Sequence, residues 1–134
     1  MKTLRLPLLL AALPLVLSAC ASPGQAAAGG QENFTLTPLQ RVDLGGQATL
    51  VYDSFSDSRC PEAMKCMWAG ELVYRFTLST PKVTESFALG SAKPDYVSQA
   101  LGGAHIKLDQ TKAPPVPPAG VAPRNYPVTL TVSP

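Results

Sequence analysis

The chain has 134 residues, 46% hydrophobic and 15% charged, which is enough for one domain with its own core and too short for two. Eleven basic residues stand against nine acidic ones, and with Lys2 and Arg5 set aside as part of an N-terminal leader, nine of each sign remain. Such a neutral chain lacks the positive charge that nucleic-acid binding needs, and the polybasic surface that draws a protein to anionic lipid.

Lys2 and Arg5 precede an apolar run from Leu6 to Ala19. The run is shorter than the roughly 20 residues that span a bilayer. As a core helix it would carry Pro7 and Pro14, each at a cost of about 3 kcal/mol, so it reads as a secretory signal. It ends in Leu17-Ser18-Ala19-Cys20, which resembles the lipobox of bacterial lipoproteins. The resemblance implies a signal peptide over 1–19, cleavage before Cys20, and diacylglycerol with a further acyl chain such as palmitate on that cysteine. Two or three chains anchor stably where a single one binds marginally. The expected location is therefore the cell membrane or, since Ala21 and not aspartate follows the cysteine, the outer membrane of a two-membraned host, with the domain facing periplasm or exterior.

Residues 20–33 are expected to form the acylated N-terminus and a flexible tether, because Ala21 to Glu32 offers nothing larger than alanine to bury. Twelve such residues have a root-mean-square reach of about 17 to 21 Å.

From residue 34 to 134 the dominant period is two, which predicts an all-β domain. In chain order the expected strands are Phe34 to Leu36; Ala48 to Tyr52, with Ala48, Leu50 and Tyr52 inward; and Glu71 to Ser79, with Leu72, Tyr74, Phe76 and Leu78 inward. Next come Val83 to Leu89, where Glu85 shares the inner face with Phe87 and so points to an edge or bulged strand. Ala104 to Asp109 follows, with Ile106 and Leu108 inward and His105, Lys107 and Asp109 outward. The last runs from Tyr126 to Ser133. Turn signals separate them at Gly45-Gly46, Thr80-Pro81, Gly90 to Pro94 and Gly102-Gly103, and Val97 to Leu101 suits a single helical turn. About six short strands so joined predict a small antiparallel sandwich or barrel. Between Ala113 and Pro127, six prolines predict polyproline II, read as a stiff connection in preference to an SH3-type ligand.

A loop at 57–71 interrupts this pattern and holds Cys60 and Cys66. With Cys20 acylated, these two remain in a compartment that favours disulfides. A second reading takes Cys60, Met64, Cys66 and Met67 as a soft-ligand set for Cu(I), or the two thiols as a redox pair.

The segment Asp57-Ser58-Arg59-Cys60-Pro61, followed by Cys66-Met67-Trp68-Ala69-Gly70, resembles the signature of a family of small bacterial lipoproteins and secreted proteins. In that family Asp-Ser-Arg-Cys-Pro leads through a short loop to Cys-x-Trp-Ala-Gly and a strand. The likeness extends from about Leu36 to Val132, through a proline-rich connection and a closing strand led by Tyr126. Family members carry aliphatic residues where Met64 and Met67 stand, which makes these methionines packing residues; no established activity comes with the resemblance. Asp57 is expected to accept backbone N–H bonds, Arg59 to pair with Asp57 or Glu71, Gly70 to bend the chain, and Trp68 to pack against the disulfide in a buried seam.

His105 is the only histidine, its strand phase is outward, and no serine or cysteine motif accompanies it; the chain also lacks a phosphate-binding glycine loop. The sequence thus predicts a non-enzyme without a cofactor, an envelope-anchored β domain that binds an envelope partner or serves a structural role. Alternatives are a periplasmic Cu(I) or thiol-redox protein, and a protease inhibitor presenting Arg59 or Lys65 on the 59–66 loop.

Overall fold

In the computed structural model, residues 30–123 and 125–134 are described; the leader, Cys20 and most of the tether lie outside them. Eight strands form where apolar and polar residues alternate: β1 Glu32–Leu36, β2 Arg41–Asp43, β3 Thr49–Asp57, β4 Leu72–Ser79, β5 Thr84–Gly90, β6 Asp95–Ser98, β7 Ala104–Leu108 and β8 Val128–Ser133. A short 3-10 turn, Gln110–Lys112, follows β7. The strands pair antiparallel in two four-stranded sheets, ordered β1-β8-β7-β6 and β2-β3-β4-β5, packed face to face as a sandwich.

The inward residues of β3, β4 and β8 are the expected ones: Leu50, Tyr52, Leu72, Tyr74, Phe76, Leu78, Val128 and Leu130 are all buried. Each contributes roughly 1.5 to 3 kcal/mol of hydrophobic stabilisation on leaving water. Aromatic rings carry the core across the gap between the sheets. Phe76 stacks on Phe87 at 5.4 Å, and Phe87 on Tyr96 of the opposite sheet at 4.1 Å.

Three expectations need correction. The strand count is eight and not about six, because β2 and β6 are only three and four residues long and too short to display a period. Val97 and Ser98 lie in β6, paired with His105 and Ala104, and not in a helical turn. The chain reverses after them through Gly102 and Gly103, both at positive φ. Finally, β1 begins at Glu32, inside the stretch expected to be tether.

Glu85 resolves its conflict differently from a bulge. β5 is an edge strand in regular register with β4, and the bulge falls instead in β3 between Tyr52 and Ser54. The Glu85 carboxylate accepts from Ser98 Oγ at 2.7 Å and from the Ala100 amide at 2.9 Å, so it ties the start of β5 to the end of β6. Burial opposes its ionisation, but these bonds win and hold the carboxyl below its ordinary range.

The two ends of the sandwich differ. At one end lie the start of β5, the end of β6, and Glu32, which pairs with Val132 at the end of β8. At the other lie the end of β3, the start of β4 and the start of β8, and it is here that the 57–71 loop emerges. Glu32, the first residue of β1, is therefore at the pole opposite the loop.

Candidate binding surface: the disulfide-braced loop

Asp57, the last residue of β3, organises the base of the loop. Its carboxylate accepts from the Arg59 amide at 3.0 Å, from Arg59 Nε at 2.9 Å and Nη2 at 2.7 Å, and from the Tyr126 hydroxyl at 2.8 Å. The side chain is 3% exposed, so the pair with Arg59 is bidentate and almost dry. The Arg59 bond is the main reason that the Asp57 pKa falls from 3.8 to about 2, with burial opposing. The same contact raises the Arg59 pKa. Burial, reinforced by Asp57, raises that of Tyr126.

Arg59 also reaches across to the proline-rich segment, donating from Nη1 to the Pro114 carbonyl at 2.8 Å and from Nη2 to that of Pro115 at 3.4 Å. Proline removes an amide donor but keeps its carbonyl, and the extended chain leaves those carbonyls free to be capped this way. Tyr126 completes the cluster: Arg59 lies 5.9 Å from its ring centroid, and Tyr52 donates to its carbonyl at 3.0 Å. Asp57 and Arg59 are thus brought together as expected. The part played by Tyr126 and Pro114 has no sequence signal beyond the tyrosine that leads the last strand.

Above this base the two arms of the loop are clamped. The Ser58 amide donates to the Glu71 carbonyl, and the Ser58 hydroxyl accepts from the Glu71 amide at 3.0 Å. The Cys60 amide donates to the Ala69 carbonyl at 2.8 Å. Gly70 sits at φ +71°, and a Cβ there would fall 1.8 Å from the Ser58 carbonyl oxygen, so no other residue lets the arms approach this closely. Glu71 does not pair with Arg59. It accepts from the Ala92 amide at 2.8 Å, tying the loop's exit to the connection after β5.

A disulfide joins Cys60 to Cys66 with Cα atoms 5.9 Å apart. Between and beyond these cysteines the side chains face solvent. Trp68 is 74% exposed, Met67 92% and Met64 52%. The expected burial of Trp68 is therefore overturned. The inward phase of β4 begins at Leu72, but the positive φ of Gly70 breaks the strand geometry and turns the residues before it outward. The methionines likewise do not pack in the core, contrary to the expectation for them. Arg59, 18% exposed and bonded below the loop to Asp57, Pro114 and Pro115, is not a displayed basic residue; Lys65 is.

Joined as a disulfide, Cys60 and Cys66 offer no thiolate to a metal. Elsewhere, His105 points outward from β7, its Nδ1 2.9 Å from an Asp95 carboxylate oxygen. Among the described residues no three His, Cys, Asp or Glu side chains converge on a point.

Comparison of the chain with protein-family models, with curated proteins and with solved structures finds no match.

Proposed function

We propose that this protein is an envelope lipoprotein, anchored through Cys20, whose β domain is non-catalytic and binds a protein partner through the braced loop. The observation that carries the reading is the exposure of Trp68 and Met67 on a loop whose conformation is held by a disulfide, a glycine and paired backbone bonds. A soluble protein keeps large apolar side chains out of water unless something else covers them. Tryptophan and methionine are also enriched where partners dock. A loop already locked loses little conformational entropy on binding, so its apolar contact is translated more fully into affinity. The non-catalytic part of the reading is supported by the position of His105, which is paired with Asp95 and, among the described residues, has no serine or cysteine hydrogen-bonded to it. The likeness of the Asp57 to Gly70 segment to a lipoprotein family fits an envelope role and brings no reaction with it.

The test is a photo-crosslinking amino acid at position 67 in protein expressed in native envelopes, with a second at position 107, on the outward face of β7, as control. The expected result is a discrete adduct from position 67 that is absent from position 107 and lost in Trp68→Ala. Identical patterns from both positions would remove the loop as a binding site.

A further inference from the structure

At the loop pole, between the two sheets, lies a cavity of about 130 Å³ that the braced loop's exposed side chains do not line. Its floor is apolar, built from Leu72, Leu108 and Val128, and its polar lining includes Tyr74, Arg59 and Lys112. Tyr74 is only 3% exposed, yet among the described residues its hydroxyl makes no hydrogen bond to protein. Among the described residues no fully enclosed polar side-chain atom is without a partner, so this oxygen keeps its residual exposure, and the open space beside Tyr74 is the cavity. A tyrosine hydroxyl so deep in a core ordinarily has a partner.

The rest of the polar lining sets two cations, Arg59 and Lys112, against the single acid Asp109, beside the neutral side chains of Ser91, Gln110 and Thr129. Arg59 uses Nε, one Nη1 and both Nη2 hydrogens on Asp57, Pro114 and Pro115, which leaves one of a guanidinium's five N–H groups unspent. Lys112 makes no ion pair among the described residues. Asp109, the acid in the lining, is already engaged by the Thr111 amide at 3.1 Å and hydroxyl at 2.6 Å. Unspent donors above an apolar floor call for a ligand with an anionic acceptor at one end and a hydrocarbon body at the other. The volume sets the size: an enclosed apolar cavity of about 150 Å³ holds benzene, so one of about 130 Å³ that opens to solvent takes at most a single ring, with part of the ligand in the mouth.

We propose that this cavity is a binding site for a small carboxylate with a compact apolar body, about the size of benzoate. The carboxylate sits against the Tyr74 hydroxyl and Arg59, and the apolar body lies over Leu72, Leu108 and Val128. Ala113, exposed at the start of the proline-rich segment, lies at the mouth.

Isothermal titration of the full-chain protein with sodium benzoate, and with benzyl alcohol as the uncharged counterpart, tests the assignment. Saturable benzoate binding with a Kd of about 1 mM or tighter is expected, with benzyl alcohol weaker by about tenfold. Tyr74→Phe removes the hydroxyl alone and should weaken benzoate by about tenfold. Ala113→Phe, on a segment outside both sheets, should block the mouth and abolish binding without unfolding the domain, so it decides the matter if Tyr74→Phe does not fold. Absence of saturable benzoate binding to the unmodified protein, equal affinity for the alcohol, or benzoate affinity unchanged in the folded variants would each overturn the site.

Discussion

Trp68 and Asp57 stand eleven positions apart in one loop and illustrate opposite uses of a side chain. Trp68 spends almost nothing on the fold: at 74% exposure its truncation to alanine removes little packing. Trp68→Ala is therefore expected to change stability by no more than about 0.5 kcal/mol, as for surface substitutions generally, and not by the 3 to 5 kcal/mol or so of a buried aromatic. Thermal or denaturant melts of the two proteins check this directly. Asp57 is the reverse, a nearly dry carboxylate whose pKa is lowered from 3.8 to about 2, mainly by Arg59. Because the folded state holds the ionised form, its stabilisation is present above the unfolded value near 4 and is lost as pH falls through the folded value near 2. The loss should amount to roughly 2 kcal/mol over that window. Comparing the pH dependence of unfolding with that of Asp57→Asn measures it: the variant should lack this step between about pH 4 and pH 2. An equally steep acid limb in the variant would mean that another carboxylate carries the loss.

Among the elements, the long strands are legible in the sequence because a buried face imposes a period of two that runs of six to nine residues display. Leu72 to Leu78 of β4 and Val128 to Val132 of β8 read correctly on that basis alone. β2 and β6 did not, since Arg41–Asp43 and Asp95–Ser98 owe their existence to the neighbours they pair with, β3 and β7. The exposure of Trp68 escapes the sequence for a related reason: the positive φ of Gly70 ends the strand geometry before Leu72, and no local pattern says which way the residues ahead of it face. The Asp57–Arg59 pair was legible because two residues of opposite charge two positions apart meet in a turn, whereas the link to Pro114 spans 55 positions and leaves no local mark. The braced loop itself is an element in which covalent closure stands in for a core. Residues 62–70 are exposed, so the disulfide supplies order that packing does not. Cys60→Ser with Cys66→Ser should cost about 2.4 kcal/mol by loop entropy. Amide exchange should accelerate within the 61–69 arm while β3 and β4 stay protected, because the Asp57–Arg59–Tyr126 base lies outside the closed ring. Loss of protection throughout β4 would instead make the disulfide a support of the whole sheet.

For the molecule as a whole, the consequence lies in the opposed poles. The chain enters β1 at Glu32, at one end of the sandwich, and the apolar crown of Trp68 and Met67 stands at the other. The nine residues of β3 separate them by about 30 Å at the usual strand rise. On the reading of Ala21 to Gln31 as a flexible tether, its root-mean-square reach of about 17 to 20 Å is shorter than that distance. Inverting the domain to press Trp68 onto the bilayer would require the tether to run back along the sandwich, nearly fully stretched. On the proposed acylation at Cys20, the loop thus faces away from the membrane that holds the protein, toward whatever lies opposite. The chain contains a single tryptophan, so the geometry can be read from fluorescence. Acylated protein reconstituted into vesicles of brominated lipid should emit from Trp68 as strongly as in unbrominated vesicles, because quenching needs near contact with the acyl chains. Ser22→Trp in a Trp68→Phe background puts the fluorophore two positions from the proposed acylated cysteine and should be quenched. Strong quenching of Trp68 itself would mean that the exposed apolar crown is a second membrane contact, and the partner sought through the loop would then be the lipid surface.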